Sequence, residues 1–564
     1  MSLVDWIVLF GTLLLIVTYG IYKSRGSSNI DGYLLGNKSL PWYHIGFSVM
    51  ATQASAITFL SAPGLAYSSG MSFAQFYFGV PLAMIVLSIT FVPMFHRMRV
   101  FTAYEYLEKR FDVKTRVFTA FLFLIQRGVS TGITIYAPSV ILSSILQIDA
   151  TYTTLFIGCL VVLYTVWGGT KAVSYTQLLQ MGIIFIGLLT AGVMVVHLLP
   201  TEIGLVKALH IAGKSGRANA IDFSFDWNNQ YTVWSGLIGG FFLQLSYFGT
   251  DQSQVGRYLT GSSIRDSRLG LLMNGLIKVP LQFLILMIGM LVFAYYQYNQ
   301  PPIFFNKLEL NKIEKSTYQD ELQEIKEQFN AVFQEKHRLI DKLNTALDQQ
   351  ADREIDEIRA DLHIADKKTA AIRDQLTSLM QKNDPKADTN DNNYIFLNFV
   401  TEKLPKGLIG LLIAIIFLAS MGSTASALNS LASTSVIDIY KRFLHKEGSA
   451  SNYLNVSRLM TFFWGIFTII IALYASRLGN LLEAVNILGS LFYGTILGIF
   501  IVAFYIKRAE GTATFIAAIL AEILVIICWK ADIMAFLWLN LVGCVLVVFL
   551  AILIQAILPA SQRR

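Results

Sequence analysis

Six side chains carrying a hydroxyl or an amide, Ser420, Ser423, Thr424, Ser426, Asn429 and Ser430, fall within eleven positions of an otherwise apolar segment, IIFLASMGSTASALNSLASTSVIDIYKR (415–442). A hard cation takes several oxygen ligands, and hydroxyls with backbone carbonyls supply them without buried carboxylates. An isolated Ser or Thr in a membrane helix usually bonds back to its own helix; the density here is what points to a site. A second stretch, 43–70, is apolar enough to enter a bilayer yet is interrupted by Gly46, Ser48, Thr52, Gln53, Ser55, Thr58, Pro63 and Gly64. Residues of these kinds loosen a helix and free carbonyls, which lipid tolerates only where they line a cavity or hold an ion. The two stretches predict a broken membrane helix that binds a cation and a solute.

The elements that position them belong to an all-α polytopic membrane protein. The chain has 564 residues, 54% hydrophobic and only 14% charged, which is too apolar for a soluble globular protein. Its net charge of +7 comes from Lys and Arg in short loops between apolar runs, as positive-inside topology requires, and not from a nucleic-acid surface. Cys159, Cys528 and Cys544 lie in apolar segments and read as packing residues. Asp5 and the lack of a basic n-region make the first apolar run a retained helix.

About thirteen apolar windows match a hydrocarbon core about 30 Å thick. Loops 96–116, 257–268, 440–446 and 507–508 are rich in base, whereas 147–150 and 475–480 are poor in it. The asymmetry predicts a multi-pass protein of the cell membrane with its N-terminus outside and its C-terminus cytoplasmic. Between the eighth and ninth windows the composition breaks. Apolar residues at Leu322, Ile325, Phe329, Val332, Leu339 and Leu343, then at Ile355, Ile358, Leu362, Ala365, Ile372, Leu376 and Leu379, repeat at alternating threes and fours. That is coiled-coil patterning. It predicts a helical hairpin turning near 349–353, read as a solvated structural spike or as a contact for a protein partner.

Windows two to six and seven to eleven form two sets of five, an odd number, so the sets lie in opposite orientations. Both sets open with an interrupted helix; in the second, Gly236, Gly239, Gly240 and Gly249 interrupt it. The expected organisation is an extra helix and cytoplasmic loop at 1–40, a first repeat at 41–200 and the start of a second at 201–302. The hairpin insert follows at 303–393, the rest of the second repeat at 394–508 and two closing helices at 509–564.

Two cations lie inside apolar windows. Lys278, in GLIKVPLQF, marks a pathway or a buried partner, or else snorkels to the nearer face. Arg127, in LIQRGVS, pairs with Glu483 or snorkels locally. His44 belongs at the interface. With no nucleophile triad, metal cluster or phosphate loop in the sequence, the chain does not read as an enzyme.

MATQASAITF (50–59), YTVWGGTKAV (164–173), DQSQVGRY (251–258) and STASALNS with DIYK (423–441) resemble the solute:sodium symporters, carriers of sugars, proline, pantothenate, iodide, monocarboxylates and sialic acid. The likeness covers nearly the whole chain except the insert and the last two windows, and implies the LeuT-type inverted five-helix repeat. It implies a sodium site at Ala51, Ala54, Ala419, Gly422 and Ser423. Gly422 stands where relatives usually carry a hydroxyl, so water or Ser426 would replace that ligand. A second sodium site in some relatives needs an aspartate where this chain has Gln177. A neutral amide does not offset a second buried cation, so one sodium per cycle is expected.

For the solute, the resemblance implies Gln53, Ser55, Thr58, Tyr77, Gln244, Lys278 and Asn486, with Tyr247 as a gate closing from the inside. Lys278 matches the sugar-carrying branch. Thr58, Tyr77, Gln244 and Asn486 depart from it, and YAPS (136–139) with DQSQVGRY follows the iodide, monocarboxylate and vitamin branch. The expected function is sodium-coupled import of a small polar organic solute, sugar-like or an organic anion, by alternating access. The alternative is a transporter-like membrane receptor that signals through a partner.

Overall fold

The chain is described from a computed structural model covering residues 1–24, 38–98, 100–201, 203–445 and 448–558, with the side chains of 167–172 left aside. The middle of the YTVWGGTKAV motif, most of the loop before residue 40 and the terminal SQRR therefore lie outside the described residues.

Among the described residues ten helices are long and apolar enough to cross a membrane. The chain opens with α1 (Leu3–Ser24) and continues into α2 (Trp42–Gln53) and α3 (Ala56–Ser69), which form one span bent by 60°. Next come the Met71–Met98 span, α4 (Val113–Leu146) and α5 (Ala150–His197). The backbone of α5 is helical throughout, yet the Tyr164 hydroxyl bonds Thr176 and both side chains reach Gly20. A straight helix would hold residues twelve apart at about 18 Å, so α5 is not straight between them.

The second repeat begins with α6 (Gly240–Thr250) and α7 (Gln252–Tyr258), parted at Asp251, followed by α8 (Ile264–Tyr298). Beyond the insert come α11 (Asn392–Lys403), α12 (Leu408–Thr434), α13 (Ala450–Ala472), α14 (Leu481–Tyr505), α15 (Gly511–Lys530) and α16 (Phe536–Ile557). Counting the bent α2–α3 pair, the described residues hold up to eleven candidate spans, fewer than the thirteen apolar windows; Ala150–Val166 is a shorter apolar helix, and the pair parted at Asp251 is too short or too polar to count with the long spans.

The break between α2 and α3 has a local cause. Ala54 leaves the helical region with ψ 82°, and the Ser55 N–H donates to the Gln53 carbonyl at 3.0 Å. The Ala51 carbonyl thereby loses the donor that a continuous helix would give it. Pro63 lies within α3 and removes another N–H. At that point α8 crosses so closely that a Cβ on Gly289 would stand 2.2 Å from the Pro63 carbonyl oxygen. Backbone cannot retreat as a side chain can, so Gly289→Ala should cost about 1–3 kcal/mol. Thermal unfolding of the purified protein checks this, and an unchanged midpoint would refute so tight a crossing.

Asp5 anchors α1: its carboxylate accepts from the Gly407 N–H at 2.6 Å, at the start of α12. The insert is a hairpin of α9 (Gln319–Gln349) and α10 (Asp352–Asn383), with Gln350 in the left-handed region at φ 54° supplying the turn. It does not stand out from the membrane as a spike. Asp348 near its tip pairs with Lys207 at 2.8 Å, and Asn344 shares hydrogen bonds with the Tyr298 hydroxyl at 3.0–3.1 Å. The hairpin lies down across the helix ends on its side of the bundle. Apolar periodicity predicts that two helices pair, but not the tilt of the pair, which these polar contacts set.

Candidate functional site

The break in the α2–α3 span faces α12. Thr52 Oγ1, one residue before the end of α2, lies 3.3 Å from Ser426 Oγ, across 374 positions of sequence. Ala51, Ala54, Ala419 and Ser423 are all buried beside this contact. The Ser423 hydroxyl donates to the Ala419 carbonyl at 2.8 Å and keeps its lone pairs for another partner. Ser426 donates likewise to the Gly422 carbonyl at 2.9 Å. Main-chain and hydroxyl oxygens are thus gathered here without a carboxylate, a donor set suited to an alkali cation.

Gln177 binds this junction together. Its amide nitrogen donates toward Ser426 Oγ at 3.1 Å, Thr52 Oγ1 at 3.2 Å and the Gly422 carbonyl at 3.3 Å. Its amide oxygen accepts from Ser48 at 2.6 Å. A Cβ at Gly422 would come within 2.7 Å of Gln180 Oε1. The missing side chain at 422 therefore makes room for the long amides of α5.

Next to the junction is a cavity of about 90 Å³, below the roughly 300 Å³ of a pocket that takes a drug-sized ligand. Gln53, Ser55, Thr58, Tyr77, Gln244, Tyr247, Ser423 and Asn486 all line it, and Gln53 donates to Gln244 at 3.3 Å. The walls must part before an organic solute can enter. Lys278 is absent from the wall. It is fully buried, so it does not snorkel, and its ammonium sits 5.2 Å from the Tyr77 ring centroid, reaching the cavity only through that ring. His44 is buried against Tyr175, with ring centroids 4.7 Å apart, rather than lying at the interface.

Arg127 forms the floor on the side away from the insert. It pairs with Asp251, not with Glu483, which accepts from the Tyr231 hydroxyl at 3.3 Å. Arg127 also donates to the Tyr493 hydroxyl at 3.2 Å and lies 5.3 Å from the Tyr247 ring centroid. Tyr493 donates to Asp251 at 2.9 Å, and the other Asp251 oxygen caps α7 by accepting from the Ser253 N–H at 2.8 Å. The second broken helix thus parts at an aspartate, beyond the glycines that signalled it.

Sequence reasoning missed Asp251 as part of the site, along with Gln126, Ser130, Thr131 and Thr134 of α4, which line the cavity. The last three show on one helix the same density of hydroxyls in apolar sequence that marked α12.

Below the floor a second network closes the same side. Arg116 bonds Asp438 and Glu108, each at 2.7 Å, and Glu108 takes Arg442 at 2.7 Å. Burial opposes ionisation of Glu108, but the two guanidinium groups outweigh it and hold its carboxyl below the usual range.

The sequence profile described as "Sodium:solute symporter family" matches residues 33–303 and 383–521, leaving out most of the hairpin. The sodium/sialic acid symporter NanT of Aliivibrio fischeri is 25% identical over 555 residues, covering 97% of this chain and 92% of that protein. The human sodium/iodide cotransporter is 32% identical over 270 residues, covering 46% of this chain and 41% of its own. Among solved structures, a substrate-bound, outward-open Na+-coupled sialic acid symporter superposes with a TM-score of 0.76 at 22% identity, over 99% of this chain and 98% of that one. With the fold and the family profile in agreement, the chain belongs to the sodium:solute symporter family, multi-pass membrane carriers that couple sodium to the movement of a small organic solute.

Proposed function

We propose that the chain imports one sodium ion with each solute molecule, the ion held by the carbonyls of Ala51, Ala54 and Ala419 and the hydroxyl of Ser423. The carrying observation is the break at Ala54 and Ser55, which frees a carbonyl beside α12 and opens on the same cavity that Ser423 lines. The Gly422 carbonyl and the Ser426 hydroxyl, the other candidate ligands, accept hydrogen bonds from Gln177 at 3.3 and 3.1 Å. Sodium binding draws α2 toward α12 and fixes the orientation of Gln53, Ser55 and Thr58 in the cavity wall. Tyr247, tilted against Tyr493 with ring centroids 5.8 Å apart, closes the floor until both ligands are bound.

The solute class is an organic anion of modest size. Arg127 lies at the floor with its Nε buried and unpartnered, Asp251 leaves it no surplus charge until the pair parts, and the surrounding wall is rich in hydroxyls and amides. Relatives named for sialic acid and monocarboxylates fit that reading. The N-terminus and the insert lie outside and the C-terminus inside, following the basic loops.

The test is uptake into proteoliposomes under an inward sodium or potassium gradient, with N-acetylneuraminate, lactate and glucose as probes. Ser423→Ala removes a ligand to a charged species, about 1.5–3 kcal/mol, so half-maximal sodium should rise about ten- to a hundredfold. Uptake of every probe indifferent to sodium would refute the proposal. A receptor that moves no solute would instead show binding without accumulation.

A further inference from the structure

The hairpin borders a second cavity, of about 290 Å³ and larger than the central one, partly open and lying between α9 and α10 and the ends of α3 and α8. Its walls are aromatic, among them Tyr67, Phe293, Tyr296 and Phe333, and three cations enter it: Arg217, Lys336 and Arg373. Two of these are matched. Arg373 bonds both oxygens of Asp391 at 2.5 and 2.6 Å, and Lys336 pairs with Asp366 at 2.6 Å. Arg217 has no ion pair among the described residues, and its Nε is buried without a hydrogen-bond partner. Its guanidinium lies 5.1 Å from the Phe293 ring centroid, and the Lys336 ammonium lies 5.9 Å from the same centroid. Two like charges over one ring, with a single carboxylate for both, leave a surplus of one positive charge at the cavity.

We propose that this cavity is a binding site for a monoanionic aromatic carboxylate, its carboxylate on Arg217 and its ring among the aromatic walls. One surplus charge matches one carboxylate, whereas a dianionic phosphate would leave a negative charge among aromatic faces. The planar fork of an arginine is suited to a carboxylate, and an aromatic guest covers the rings without needing polar partners. The lid is the hairpin, most of which lies outside the matched family profile, so the site is separate from the transport path.

The test uses the full chain in lipid nanodiscs and fluorine NMR of 4-fluorobenzoate, with 4-fluorobenzamide as the uncharged control and empty nanodiscs as the blank. The expected result is line broadening of the benzoate alone, with affinity falling about tenfold or more in Arg217→Gln. Ser68→Trp, which fills the cavity and keeps every charge, should abolish binding and decides the matter if the Arg217 variant does not fold. Thr58→Trp, which fills the central cavity instead, should leave binding intact. The proposal is overturned if benzoate is not broadened, if the benzamide is broadened equally, if Ser68→Trp binds like the parent, or if Thr58→Trp alone abolishes binding.

Discussion

An Asp251→Ala chain should insert and purify but lose sodium-driven uptake by at least about a hundredfold and fall in stability by about 3–5 kcal/mol, the usual consequence of leaving one member of a buried ion pair alone. The size of the effect follows from the three tasks of one carboxylate. It neutralises Arg127, accepts from the Tyr493 hydroxyl at 2.9 Å, and caps α7 through the Ser253 N–H at 2.8 Å. Asp251→Asn keeps an acceptor for the cap and loses only the charge, so it should be less destabilised while uptake stays low.

The double variant Arg127→Met with Asp251→Asn should recover much of the stability, because no charge is then left buried, without recovering transport. Thermal unfolding in detergent and uptake by proteoliposomes, measured on the same preparations, separate the two effects. If Asp251→Ala unfolds at the parent's temperature, the pair does not hold the floor of the cavity. The pair also fits a part in coupling: it joins α4 to the break of the second repeat, so a floor that opens has to separate two opposite charges or offer them a new partner. An anionic solute arriving at Arg127 would do the latter.

How much of this is legible in one dimension depends on whether a feature is local. The break at Ala54 is local: small and hydroxyl residues with Pro63 weaken one turn, and that turn is where the chain bends by 60°. Periodicity makes the hairpin helices legible for the same reason: Leu343, Ile355, Ile358 and Leu362 are buried where the pattern puts them, although Ile340 is buried where the pattern has Leu339. Partners across the fold are another matter. Arg127 and Asp251 are 124 residues apart, the first inside an apolar window and the second just past the end of one, and hydropathy says only that such a side chain must be satisfied somewhere.

Lys278 shows the same limit. Nine residues from the start of its window, it is placed to snorkel, yet the close packing of α8 encloses it entirely behind Tyr77. The side chains lining the cavity from α4 were missed because Ser130, Thr131 and Thr134 look like ordinary back-bonding residues. They are so in part: Thr134 donates to the Ser130 carbonyl at 3.0 Å while also facing the cavity.

Replacing Gln177 by aspartate should raise the number of sodium ions moved per solute from one to two. The amide nitrogen of Gln177 lies within 3.1–3.3 Å of two hydroxyl oxygens and one carbonyl oxygen, contributed by α2 and α12. A primary amide carries two N–H donors, so it serves these acceptors with partial positive charge and leaves them unavailable to an ion. Aspartate is shorter by a methylene, releases the three oxygens and supplies the negative charge that a second buried cation needs. A second charge crossing about 100 mV contributes about 2.3 kcal/mol more to accumulation, on the order of fiftyfold.

Sodium taken up per solute molecule and the sodium Hill coefficient of solute uptake, expected to move from about 1 to about 2, read this directly on the one-sodium reading proposed here; one sodium with one anion is electroneutral, so a solute-evoked current is expected only in the aspartate variant. Gln177→Leu is the necessary counterpart: it frees the same oxygens without adding charge, and should slow transport while the count stays at one. Gly422→Ser, placed in the aspartate background, adds a hydroxyl beside the buried and unpartnered Gln180 Oε1; it should tighten the second site if crowding against Gln180 is relieved by that hydrogen bond. A parent chain that already moves two sodium ions would show that the amide is a ligand rather than a substitute, and the junction between α2, α5 and α12 would have to be read as an ion site with Gln177 in its shell.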